Sequence, residues 1–245
     1  MALRNPVIYG NRFERSPDHD YGQSMTLAGA AGKALILTVL LVASAAYTWY
    51  LFFNGQDVSG FLKVGLIGSL VIALPTIFFP RISPFTAPLY VIVNGLLYGA
   101  VSAMGEYLYP GIVMNAILIT LSLFLITLFL YATRIIRVTP GLVAAISIAT
   151  LAIALTYLVN FILSFFGMSV PYIHDTGWVG IAISAFVIVI ATSNLLIDFS
   201  NIEQYANEGR PKYMEWYGAF GLMVTIIWMY FEILRLLAKL ASSRN

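Results

Sequence analysis

Ser184–Glu203 reads SAFVIVIATSNLLIDFSNIE and Gly221–Leu240 reads GLMVTIIWMYFEILRLLAKL. Each is long and apolar enough to cross the ~30 Å hydrocarbon core of a bilayer as an α-helix. Each also carries one carboxylate inside its apolar run, Asp198 and Glu232. A charge in hydrocarbon costs several kcal/mol and is retained where it faces a partner or a wet cavity, so chemistry is sought first at these two residues. Two plainer roles stand beside that reading. Asp198 could cap the cytoplasmic end of its helix, and Glu232 could pair with Arg235 one turn on.

The rest of the chain extends the same pattern. Of 245 residues, 60% are hydrophobic and 10% are charged, with a mean hydropathy of +0.87; soluble domains carry roughly a quarter charged residues. The expected fold is all-α and polytopic, with about seven spans, leaving no room for a separate soluble catalytic domain. The net charge of +2 is scattered over span ends, which argues against a nucleic-acid partner. With no cysteine, disulfides, thiol catalysis and cysteine-held metals are excluded. The polar, mixed-charge start NPVIYGNRFERSPDHDYGQS predicts a retained first span and no cleaved signal peptide.

The expected organisation is a cytoplasmic tail over 1–26, a seven-helix domain over 27–241 and a short tail over 242–245. Spans are expected at about 27–53, 61–79, 87–104, 112–131, 142–166, 179–199 and 220–240. Gly95 and Gly99, continued by Ala103, give the third a small face for close packing. Pro75 is expected to kink the second. An N-terminus inside places Arg4, Arg12, Arg15, Lys33, Arg81, Arg134, Arg137, Arg210 and Lys212 on the inner side and leaves Lys63, Arg235, Lys239 and Arg244 outside, as the positive-inside rule requires.

No GxSxG or HExxH occurs, and His19 and His174 both lie outside the spans, which removes the serine and zinc intramembrane hydrolases. His174 beside Asp175 reads as a solvated loop pair. Aspartyl intramembrane proteolysis would use one acid on each of two adjacent helices, but Glu232 follows Tyr230 and Phe231 with no glycine-flanked motif. Asn94, Asn115, Thr120, Asn160, Thr192 and Asn194 read mostly as interhelical hydrogen-bonding groups. Asn194, one turn before Asp198, could orient that acid. Glu106 reads as a solvated turn residue or a cation-attracting mouth.

LLIDFSNIE in the sixth span, WMYFEILRLLAKL in the seventh, and NGLLYGAVSAMGEYLYPGIVMNAILITLSLFLITLFLYATRIIRVT together resemble the Bax inhibitor-1 family in its bacterial branch. That resemblance implies six helices surrounding a more polar seventh, in the inner (plasma) membrane of a bacterium. It implies a pH-sensitive calcium leak rather than an enzyme, gated by Asp198 and Glu232, with no cofactor and with calcium as the permeating ion. It places Arg81 where relatives carry a basic cluster, and Asn194 and Arg235 become candidate supports of the gate. Two carboxylates close together in low dielectric cannot both ionise readily. Sharing a proton, they would clip the last two spans together; losing it, they would repel and favour a hydrated path or a cation. Calcium prefers six to eight oxygens, so two acids would hold it weakly, as permeation requires. The alternatives are a membrane-embedded interaction protein acting on a membrane protease or stress regulator, and, last, the aspartyl-type protease. Counting ~1.5 Å per residue places Asp198 near the inner edge and Glu232 near mid-membrane. The acids can meet only if the sixth helix is broken or shifted, or the seventh begins well inside the cytoplasm.

Overall fold

The computed structural model describes residues 24–164, 166–168 and 177–243. The expected tail before Ser24, the pair His174–Asp175, and Arg244 lie outside them. Among the described residues there are seven α-helices: α1 (Leu27–Phe53), α2 (Ser59–Phe78), α3 (Ser83–Leu108), α4 (Ile112–Ala132), α5 (Pro140–Ser164), α6 (Trp178–Asn207) and α7 (Met214–Ser242). All seven are long and apolar enough to cross a membrane, and their environment is a lipid bilayer.

The ends of the helices follow from local chemistry. Thr26 caps α1 by accepting the Gly29 amide, a standard way to satisfy one of the free donors of a first turn. At the entry to α2, Asp57 accepts the backbone N–H and the hydroxyl of Ser59; the backbone bond first, then the hydroxyl, holds its carboxyl below the usual range. Pro75 sits in the last turn of α2, which ends three residues later. Gly111 enters α4 with φ of 87°, a left-handed conformation that suits glycine. Glu106, expected to be a solvated turn residue, instead reaches across that turn: its two oxygens accept the amides of Gly111 and Val113 at 2.6 and 3.1 Å. A carboxylate over a helix N-terminus satisfies free donors and opposes the helix dipole.

α7 is the axis of the bundle, as expected. It packs on α1, α3, α4 and α6 and contributes to both large apolar clusters, one with α4 and α6 and one with α1 and α3. α2 rests on α3 and α5 on α6, so these two helices are the outermost. The tightest seam joins α1 to α3. A side chain at Gly95 would strike Ser44 and the Leu41 carbonyl, and one at Gly99 would strike Thr48 and the backbone of Ala45. The expected small face thus lets two helix backbones approach closely.

The structure departs from the expected bounds most at α6 and α7. α6 continues eight residues past Phe199, and α7 begins six residues before Phe220. Most of the stretch read as a long connection is helical, and the reversal narrows to Glu208–Tyr213. Residues 24–26, just before α1, are fastened to this reversal. Met25 donates its amide to the Arg210 carbonyl at 2.7 Å, Ser24 and Pro211 form an antiparallel bridge, and Met25 packs with Ala30 and Met214. Residues 24–26, read as the end of a loose tail, are therefore docked.

Candidate functional site

Thr225, Glu232 and Lys239 recur every seven residues along α7. Seven residues make nearly two turns, so the three side chains share one face at ~10.5 Å intervals. Each makes a polar contact with an outer helix.

At the first level, the Thr225 hydroxyl donates to Asp198 of α6 at 2.6 Å. Asp198 is half-buried, and among the described residues Thr225 is its only hydrogen-bond partner. Helix continues for nine residues beyond it, so Asp198 does not cap α6. Gly221, one turn below Thr225, leaves space beside this carboxylate.

At the second level, Glu232 is fully buried. It accepts the Tyr157 hydroxyl of α5 at 2.9 Å and faces the Arg235 guanidinium at 3.3 Å from both oxygens. Arg235 also donates to Tyr157 at 2.9 Å and lies over the Phe231 ring, 4.6 Å from its centroid. The expected Glu232–Arg235 pair is present, with Tyr157 closing it into a three-membered network. Breaking such a network by removing one charge is costly, because it strands the other in low dielectric.

At the third level, Lys239 is only 6% exposed. It donates to the Gly180 carbonyl and the Ser184 hydroxyl of α6, each at 2.9 Å. Sequence reasoning assigned no role to Lys239, Thr225 or Tyr157. The seven-residue recurrence on α7 was the available signal for the first two; nothing in the sequence points to Tyr157.

The structure thus brings Asp198 to Thr225, two turns short of Glu232. The early start of α7 brings Asp198 against the central helix, as one of the two routes to contact required, yet the two carboxylates have separate partners and share no hydrogen bond. Asn194 donates to Thr150 of α5 at 2.7 Å and to the Ile190 carbonyl at 2.9 Å, joining α6 to α5 rather than bonding Asp198. Arg81 is exposed in the short turn between α2 and α3 and enters no described hydrogen bond. Of the groups read as interhelical links, Asn94 and Thr120 bond carbonyls of their own helices. Asn194 and Thr192 do link helices, to Thr150 of α5 at 2.7 Å and to the Met229 sulfur of α7 at 3.4 Å; Ser102–Tyr230 at 2.7 Å and Thr225–Asp198 are further cross-links.

Fold and site together define a heptahelical membrane protein whose last helix is buried at the centre and carries a column of polar and charged groups. The chain belongs to the Bax inhibitor 1 like family, whose pattern matches residues 5–242, almost the whole chain. Comparison with curated proteins and with solved structures gave no match.

Proposed function

We propose that this protein is a proton-sensitive, calcium-permeable leak in a bacterial plasma membrane, with its N-terminus in the cytoplasm and no enzymatic role. The observation that carries this reading is Asp198: a carboxylate held within the bundle by one hydroxyl, with no cation paired to it among the described residues. An ionised acid so placed attracts a divalent cation, while one acid and a hydroxyl supply too few oxygens to retain it. Glu232 lies two turns further along the same face, so the two acids act in series rather than as a shared-proton pair. Arg235 occupies Glu232 at 3.3 Å, and the guanidinium must swing away before a cation can use that second position. Protonation removes the charge of Asp198, so flux falls as pH falls. Aspartyl-type proteolysis gains no support, since it needs two acids flanking one water.

The test is calcium flux into liposomes holding the purified chain, scanned across pH. Asp198→Asn should lower flux at neutral pH by at least about tenfold, the equivalent of ~1.4 kcal/mol of lost attraction, and flatten its pH dependence. Glu232→Gln should also lower flux. Arg235→Gln, which frees the second acid, should raise neutral-pH flux severalfold. Absence of flux, or flux indifferent to all three changes, defeats the leak reading and leaves a membrane-embedded modulator of a partner protein.

A further inference from the structure

A cleft of about 510 Å³ opens between α1 and α4, with α3 and α7 as its floor. Its walls are formed by apolar groups such as Ala46, Met114 and Ile117. Four of the five hydroxyls in its lining are already engaged: Ser102 with Tyr230, Thr38 with the Ala34 carbonyl and Thr120 with the Ala116 carbonyl. Among the described residues, Glu106 is the one charged group in the lining, and no Lys, Arg or His joins it there.

Each oxygen of Glu106 accepts one backbone amide, from Gly111 or Val113. A carboxylate offers about four acceptor positions, so capacity remains for further donors. Among the described residues its charge is opposed only by the α4 N-terminus, equivalent to roughly half an elementary charge. A cationic group is therefore the complement of this end of the cleft.

Length narrows the occupant. On α1 the lining runs from Thr38 to Trp49, a span of ~16 Å along the helix axis. That is about half of a ~30 Å hydrocarbon core, the depth of one leaflet. A single acyl chain is slender enough, and Glu106 lies at the end of α3, at the level of the α3–α4 turn where a headgroup sits.

We propose that the α1–α4 cleft binds one phospholipid of the adjacent leaflet, its acyl chain along the apolar walls and its primary ammonium headgroup at Glu106. The chemical class is a zwitterionic, ethanolamine-type lipid in preference to an anionic, glycerol-type one. Such a lipid covers the seam between α1 and α7.

The test uses the full chain in nanodiscs of equal phosphatidylethanolamine and phosphatidylglycerol, transferred to detergent and weighed by native mass spectrometry. The wild-type chain should retain one lipid, with phosphatidylethanolamine strongly favoured. Glu106→Gln keeps an acceptor for the α4 amides while removing the charge, and should bring the two lipids to parity. Ile117→Trp fills the cleft from its exposed wall without touching the Glu106 cap, and should abolish retention of either lipid. Equal retention of both lipids by the wild type, a preference unchanged in Glu106→Gln, or full retention in Ile117→Trp would each overturn the proposal.

Discussion

Gly99→Leu is expected to destabilise the bundle by about 3 kcal/mol or more, the upper range for forcing extra atoms into a packed interior. The reason lies in what faces Gly99. The atoms that an added Cβ would meet are the hydroxyl of Thr48 and the carbonyl oxygen and Cα of Ala45. Two of these are backbone and cannot rotate aside, so relief requires α1 to move off α3 as a body. That displacement would also open the cluster in which Leu37, Ala87 and Val91 meet Met223 of α7. A thermal melt in detergent is the measurement, with Gly32→Leu as the control. Gly32 lies on α1 with open space beside it, so leucine there meets no obstacle and gains up to ~1 kcal/mol of helix propensity. Equal melting temperatures for the two variants would refute the close-approach account of the α1–α3 seam.

Glu215→Ala is expected to release the strap that ties residues 24–26 to the α6–α7 reversal. Glu215 is fully buried at the start of α7. One of its oxygens accepts the Thr26 amide at 3.1 Å, the Thr26 hydroxyl at 3.0 Å and the Lys212 ammonium at 2.8 Å. The other oxygen has no partner among the described residues, so the residue bears a desolvation cost along with its bonds. Lys212 is half exposed and returns to water when the acid is lost, which limits the damage. Net loss of the two Thr26 bonds and a charge-assisted contact amounts to about 2 kcal/mol, or roughly thirtyfold faster local opening. Hydrogen exchange at the Thr26 and Met25 amides reads this directly. Gly29 faces the same carboxylate closely enough that a Cβ there would collide with it. Gly29→Ala should therefore mimic the effect, and the double variant should be milder than the sum, since neighbouring sites do not add. Strict additivity would show that the two residues do not act through one contact.

Much of this architecture can be read from the sequence because hydrocarbon selects composition so strongly. The α1 bounds, the Gly95–Gly99 face and the central place of α7 all follow from apolar runs, small-residue spacing and family resemblance. The extra turns of α6 and α7 do not, because Ser200–Asn207 and Met214–Ala219 lie where polar side chains are tolerated; hydropathy marks the end of the apolar run there, not the end of the helix. The separation of Asp198 from Glu232 was legible only as a difference in depth. Its resolution depends on the offset between α6 and α7, which pairs Asp198 with Thr225, a residue marked in the sequence only by its seven-residue spacing from Glu232. The capping role of Glu106 was hidden for a similar reason. Its partners are backbone amides across a turn, and a cap formed from the preceding helix leaves no motif of the usual N-cap kind.

The strap also bears on how the chain reaches its final state during synthesis. Thr26 and Glu215 are 189 positions apart, so the first helix enters the bilayer long before its fastening exists. Until the last hairpin emerges from the ribosome, the segment ahead of α1 has no anchor on Arg210 or Glu215. Contacts of this separation close late, because the ordering of the whole intervening chain comes first. The fastening of the N-terminal segment thus waits for the α6–α7 reversal and the first turn of α7, after six helices have been delivered.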